Sequence, residues 1–396
     1  MSKRLIILGA FRFPSGDAAA ARVLGTGKLL REMGYTIEFA GWGEHPSNTQ
    51  EHVFQGFKYC ALGEFRNGPL KPHRRLLRFL MEGQGTMEWL RDKDLSDVEA
   101  IIAYHGSSAF ILRLARFCRQ RGIRFMFDCT EWYDPRALPG GGWGLPAIDS
   151  EIRMRFVYPY VGRGIVISYY LENYYNKSGC NVARLPPLID LQDEKWGGAR
   201  AAVPPSSMSP LRIAYAGFPG KKDLLLNALR GLPKLKTLGI DVVLEIYGPT
   251  QSEFLSSINA EPVDDLLEGV IFHGRKRQVE IPALVASAHF SLLVRPDKRS
   301  SHAGFPTKLV ESWAIGVPVI ANITGDMGRY VVDGVNGVVL KDASTSAFVE
   351  AIKKIGALNL ADYLMMRRNV QELAEKEFDF RNFIRSSAIA KLLENN

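Results

Sequence analysis

The sequence predicts an α/β protein of two doubly wound domains in tandem, and three observations carry that reading. Short apolar runs alternate with amphipathic helical stretches along the whole chain. The opening reads strand, loop, helix, strand, the start of a parallel sheet. A small-residue, Pro-rich stretch from Gly197 to Ser207 then separates two similar series of elements.

In the first series, Leu5 to Leu8 is a strand, Gly9 to Asp17 a loop, and Ala18 to Met33 an Ala-rich helix closed by Gly34. Tyr35 to Ala40 is the second strand. Ala100 to Ala103 is a further apolar run, followed by the helix Ala109 to Arg121, which Gly122 closes, and by the strands Ile123 to Phe127 and Gly164 to Ser168. The second series holds strands at Leu211 to Ala216, Val242 to Tyr247, Val270 to Phe272, Phe290 to Val294, Pro318 to Ala321 and Val338 to Leu340, with a helix at Thr307 to Ile315. The expected division is residues 1–196, a linker at 197–210, residues 211–375 and a final helical stretch at 376–396.

A chain of 396 residues with 46% hydrophobic content can bury two full cores. No apolar run is long enough to span a bilayer. The run after Met1 lasts four residues before Gly9 and has no cleavage site, so a first strand and a cytoplasmic protein are expected. Cys60, Cys118, Cys129 and Cys180 are far apart and read as buried thiols rather than a disulfide or zinc framework. Residues 1–200 hold 27 Lys+Arg and 21 Asp+Glu, and the remainder 23 and 21, so most of the net charge of +8 lies in the first half. That modest excess suits phosphorylated ligands or an anionic membrane surface, and no nucleic-acid-binding module is present.

Chemistry concentrates between Ser291 and Asn336. Gly304-Phe305-Pro306-Thr307-Lys308 is a turn that opens a helix. The free N–H groups and positive dipole end of such a helix make an anion site that fits a diphosphate. Lys308 adds a cation, and Glu311, one turn further on, can accept two hydrogen bonds from the vicinal hydroxyls of a ribose. An ordinary capped helix accounts for the same pattern.

Gly304-Phe305, Glu311, Ala314, Gly316, Pro318, Val319 and Ile320 resemble the signature of the large retaining family 4 of GT-B glycosyltransferases. Tyr215 to Leu224 resembles the first loop of that family's C-terminal domain. The matching motifs span about residues 211–340. The resemblance implies two Rossmann-like domains facing a central cleft, with the final helix crossing back to the first domain. It implies transfer of a sugar from a nucleotide-diphosphate donor to a hydroxyl of a glycan or polyprenyl-linked acceptor, with anomeric retention and no metal or other cofactor. The donor site it implies comprises Gly217, Lys221, Lys222, Gly274, Arg275, Arg295, Thr307, Lys308 and Glu311. In that set Lys222 is the best match to the diphosphate-binding lysine, and Gly274-Arg275 lies against the base. One departure stands out: Ala303 occupies the place of the family's first Glu, which contacts the donor sugar.

Sites in the first half are read from their places after strands. His105 follows the apolar run Ala100 to Ala103, where doubly wound domains bind ligands; it is the candidate catalytic residue, and a structural histidine is the competing reading. Gly16 and Arg22 in the first loop and helix, and Glu131 and Trp132 after the strand Ile123 to Phe127, are candidate acceptor-binding residues. A surface arginine and a structural carboxylate explain Arg22 and Glu131 equally well. Asp92-Lys93-Asp94 sits in a charged stretch and reads as a solvated helix end, and Gly25-Thr26-Gly27 lacks the context of a dinucleotide fingerprint. Phe65 to Met81 carries five basic and no acidic residues interleaved with leucines, so peripheral contact with an anionic membrane is expected there, with a solvated basic helix or an acceptor-binding wall as the alternatives. Two further function classes fit the chain: a catalytically silent nucleotide-sugar-binding homologue, suggested by Ala303, and a sugar-nucleotide epimerase on the same fold.

Overall fold

A computed structural model of the protein describes residues 3–14, 17–43, 51–65, 76, 79–220, 222–258 and 267–394. The chain forms two compact units. The first comprises Met1–Leu188, Ala303–Phe305 and Phe380–Asn396, and the second Ile189–His302 and Pro306–Asp379.

Among the described residues, the first unit holds one sheet of eight strands: β1 (Arg4–Gly9), β2 (Thr36–Gly41), β3 (His52–Phe54), β4 (Phe57–Ala61), β5 (Val98–Tyr104), β6 (Arg124–Cys129), β7 (Arg163–Val166) and β8 (Asn181–Arg184). Their order is β3-β4-β2-β1-β5-β6-β7-β8, with only the β3–β4 pair antiparallel. β1 is apolar and buried along nearly its whole length because strands flank it on both sides and helices cover both faces. The helix Ala18–Glu32 follows β1, and the Asp17 carboxylate caps it by accepting from the Ala20 N–H at 2.9 Å. Gly27 in this helix allows close packing: a Cβ there would lie 2.4 Å from the Phe39 ring. A Cβ at Gly25 would lie 3.0 Å from Leu188, so close packing on both sides accounts for the Gly25-Thr26-Gly27 run. The helix Ser108–Arg121 follows β5 between a Ser107 N-cap and Gly122.

The second unit holds six strands among its described residues: β9 (Leu211–Ala216), β10 (Val242–Tyr247), β11 (Val270–Gly274), β12 (Phe290–Leu293), β13 (Val319–Asn322) and β14 (Gly337–Leu340). All pairs are parallel, in the order β11-β10-β9-β12-β13-β14. This is the 3-2-1-4-5-6 order of a nucleotide-binding sheet, and the order reverses between β9 and β12. In the first unit the corresponding reversal lies between β1 and β5.

The division between units falls at Leu188/Ile189, not at residue 196. The expected linker begins as the helix Glu194–Arg200, capped by Asp193. Buried Trp196 and the bond from Arg200 to the Ala314 carbonyl, 2.9 Å, hold it in the second unit despite Gly197-Gly198. The return of the chain to the first unit begins at Phe380 rather than 376. The helix Ser387–Leu393 packs there, its end fastened by Arg124 to the Leu393 carbonyl at 2.6 Å. All four cysteines are buried and free.

Arg22 joins three parts of the first unit. Its guanidinium donates to both Asp128 oxygens, at 3.2 and 3.0 Å, and to the carbonyls of Leu185 and Pro186, at 2.6 and 2.8 Å. Both charged side chains are buried. Removing one partner leaves the other buried and uncompensated, so Asp128→Ala is expected to cost about 3–5 kcal/mol. Denaturant unfolding checks this; a loss below about 1 kcal/mol contradicts it.

Candidate functional site

Two loops meet at the reversal point of the second sheet. One follows β9 and carries Gly217 to Leu224; the other follows β12 and carries Arg295. The helix Thr307–Ala314 begins beside them. Asp223 links the three. Its Oδ2 accepts from the Tyr215 hydroxyl at 2.6 Å and from the Lys308 ammonium at 2.5 Å, and Arg295 Nε lies 3.9 Å from its Oδ1. Lys308 also donates to the Tyr215 hydroxyl at 2.7 Å and lies 3.9 Å over the Tyr215 ring. Burial pulls the Lys308 ammonium below its ordinary pKa, against the raising effect of Asp223. Burial, followed by the Asp223 charge, pushes the Tyr215 phenol well above its own.

Arg295 is held at its backbone. Its N–H donates to Asn322 Oδ1 and its carbonyl accepts from Asn322 Nδ2, both at 2.8 Å, so the end of β13 clamps the end of β12. Gly217 has φ +125°, and a Cβ there would stand 2.9 Å from Lys308 Cε. Only glycine permits both that backbone and that approach. Gly274, at φ +64°, ends β11, and its carbonyl accepts from the Gly248 N–H at 3.0 Å. Lys222 and Arg275 are exposed, and Thr307 opens the helix with no side-chain cap over its first turn. Glu311 lies one turn further. Burial raises its pKa, and the charges of Lys195 and Lys308 oppose that shift.

The structure thus brings Gly217, Arg295, Thr307, Lys308 and Glu311 into one neighbourhood, with Lys222 on the same loop. Lys221 lies outside the described residues. Lys308, expected as a cation for the diphosphate, is already paired with Asp223. Tyr215, Asp223 and Asn322 are members of the site that the sequence reading left without a role. Asp223 stands directly after Lys222, but its partners lie 72 and 85 residues onward or back on another strand.

In the first unit, His105 adopts φ +56°, a left-handed backbone uncommon for a residue with a side chain. Several bonds hold this turn. His105 Nε2 meets Thr130 Oγ1 at 2.9 Å, and the Gly106 carbonyl accepts from Arg153 at 2.6 Å. The Ser107 N–H donates to Glu82 at 2.5 Å and the Ser108 N–H to Asp149 at 2.8 Å. Tyr133 stands with its ring centroid 6.1 Å from that of His105. Glu131 is partly exposed beside them. Trp132 is not an open stacking platform: it is buried, its Nε1 donates to Glu151 at 2.9 Å, and Tyr174 and Arg155 lie against its ring. Arg22 is likewise committed to the interior, its donors engaged by Asp128 and two carbonyls, because the helix Ala18–Glu32 turns that side chain inward. Gly16 lies outside the described residues, as does most of Phe65 to Met81. Asp92 ends a helix, and Lys93 pairs with Glu38 at 2.6 Å. Among the described residues no helix is long and apolar enough to cross a membrane.

The raised pKa of Glu311 means that the folded chain holds this proton more tightly than the unfolded chain does. The associated stability is lost as pH rises through the folded value. Glu311→Gln removes that cost, so the ligand-free variant is expected to be more stable than the parent at neutral pH. The gap closes as pH falls below about 4, where both states are protonated. Thermal melts at the two pH values check this; a variant that melts lower than the parent at neutral pH contradicts it.

Comparison with known proteins agrees with the geometry. Residues 212–357 match the family model described as glycosyl transferases group 1. No curated protein sequence matches the chain. Among solved structures, sucrose-phosphate synthase from Thermosynechococcus elongatus is similar at a TM-score of 0.70 and 13% identity, with 98% of each chain covered. HepE from Anabaena, solved in complex with UDP-glucose, is similar at 0.65 and 14% identity, over 98% of this chain and 99% of that one. The catalytic domain of starch synthase IV from Arabidopsis thaliana, bound to ADP and acarbose, is similar at 0.64 and 13% identity, over 99% of each chain. At these identities the likeness establishes the fold. The chain thus matches the group 1 glycosyltransferase model over residues 212–357, and its two Rossmann-like units have the fold of GT-B glycosyltransferases.

Proposed function

We propose that the protein is a retaining glycosyltransferase that moves a hexose-type sugar from a nucleoside-diphosphate donor to a hydroxyl of a glycan or polyprenyl-linked acceptor. One observation carries this: the uncapped start of the helix Thr307–Ala314 lies beside the Gly217 loop and Arg295, with Glu311 one turn along. A diphosphate takes the helix N-terminus, with Lys222 and Arg295 as cations. Glu311 accepts from the ribose hydroxyls, and Gly274-Arg275 borders the base. HepE was solved with UDP-glucose and starch synthase IV with ADP, so both a pyrimidine and a purine nucleotide are candidates for the donor.

In this reading the leaving diphosphate is stabilised by the chain's own cations and helix dipole, with no metal required. Ala303 supplies no carboxylate to attack the sugar. The departing diphosphate oxygen then serves as base for the incoming hydroxyl, on the face the leaving group vacates. The C–O bond to the diphosphate breaks, the bond to the acceptor oxygen forms, and the acceptor proton passes to the diphosphate. We assign to His105 contact with the sugar or acceptor near the reacting carbon, and Glu131 and Tyr133 to the acceptor side.

Glu311→Ala and Lys222→Ala are each expected to weaken binding of a nucleoside diphosphate roughly ten- to 150-fold, the loss of one charge-assisted hydrogen bond. Calorimetric titration with UDP and with ADP checks this, and unchanged affinity in both variants removes the donor-site assignment. His105→Ala should lower turnover strongly while nucleotide affinity stays near that of the parent, the pattern of a contact made in the transition state. Proton NMR of the isolated product should show the donor's anomeric configuration. An inverted product excludes the front-face route, and full activity of the His105 variant excludes the residue.

A further inference from the structure

Residues Leu145–Ile152, Arg153–Val157 and Tyr158–Val161 form one continuous helical rod, α-helical at both ends with a π turn in the middle. Its 17 residues extend about 25 Å. One side is packed into the first unit through Ala147, Ser150, Met154, Val157 and Tyr158. The other side carries Leu145, Ile148, Ile152, Phe156 and Tyr160, all exposed, Phe156 to 67%. Their spacing of three or four residues keeps them in one row, and the wider π turn brings Tyr160 rather than Pro159 into line. Trp143, 93% exposed, stands just before the rod. The remaining exposed residue of the rod is Arg155.

The neighbouring helix Ser108–Arg121 extends this surface. It contains no acidic residue. Leu112, Arg116 and Arg119 share its exposed face, and Arg119 donates to the Tyr160 hydroxyl at 2.7 Å with its guanidinium over that ring. The two acids of the rod are not presented outward: Asp149 is buried against Arg153, and Glu151 pairs with Arg155 at 2.8 Å and accepts from Trp132. The result is an apolar row bordered by exposed arginines with no exposed carboxylate on either helix.

We propose that this face docks on an anionic lipid bilayer. Large aliphatic and aromatic groups enter the headgroup boundary, Trp and Tyr suit the polar interface, and arginines meet lipid phosphates while their stems stay apolar. A second copy of the chain is disfavoured as the occupant, because a self-complementary contact brings the arginines of both copies together. The surface is also coupled to the candidate acceptor loop, since Trp132 is bonded to Glu151 and lies against Arg155. A membrane-borne acceptor would thus meet the Thr130–Asp134 segment beside the bilayer. That last link rests on the glycosyltransferase reading; the docking itself does not.

Co-sedimentation of the full chain with phosphatidylglycerol–phosphatidylcholine vesicles and with phosphatidylcholine vesicles tests the proposal. Binding to the anionic vesicles, weakened by salt, is expected. Arg116→Gln with Arg119→Gln should weaken it by about fivefold per arginine. Trp143→Ser with Phe156→Ser should weaken it at least tenfold, from the burial of two large apolar groups. Both variants alter exposed side chains, and unchanged UDP or ADP titrations in them separate a docking failure from a failure of the donor site. Three outcomes overturn the proposal: no binding of the parent to anionic vesicles; equal binding of parent and Trp143/Phe156 variant, which places the contact elsewhere, as on Phe65 to Met81; or a parent dimer that Phe156→Ser dissociates, which makes the face a contact between copies.

Discussion

The second unit turns on the Asp223 carboxylate. It receives the Lys308 ammonium and the Tyr215 hydroxyl, with Arg295 within ion-pair distance, and so joins the ends of β9 and β12 to the start of the helix Thr307–Ala314. Lys308 is depressed by burial, and without its partner it would be a desolvated charge or would lose its proton. The same pair fills the space beside Gly217, where a Cβ would strike the lysine stem. Asp223 thus restrains its loop against the start of the helix from within the loop. The lysine's charge is thereby paired inside the protein.

Much of this architecture is legible along the chain. A parallel sheet buried on both faces demands runs such as Leu5-Ile6-Ile7-Leu8, and that run forms β1. Helix ends are equally visible at Asp17 and Gly122, where capping chemistry is local. The start of the supposed linker misleads because Gly197 and Gly198 argue against a helix, whereas buried Trp196 and the Arg200–Ala314 bond impose one. Roles set by distant partners are invisible for the same reason. Arg22 looks like a loop-proximal cation until β6 delivers Asp128 beneath it, and Trp132 looks like a sugar platform until Glu151, Arg155 and Tyr174 close around it.

The first unit shows another use of buried charge. Arg153 and Glu82 hold the carbonyl and amide around a left-handed His105, so a conformation that costs of order 1–3 kcal/mol persists through its neighbours. The helical rod that supplies Arg153 and Asp149 inward is the one whose outer row is apolar. One element therefore both shapes the His105 turn and forms the exposed apolar surface.

The donor proposal places a nucleoside diphosphate at the reversal point of the second sheet. Hydrogen exchange of the full chain with and without saturating UDP or ADP tests it most directly. Slowed exchange is expected at Gly217–Leu224 and at Phe305–Glu311, with the amides at the start of the helix Thr307–Ala314 protected most. Protection confined to the loop after β1 and to His105–Ser108, with the second unit unchanged, would contradict it.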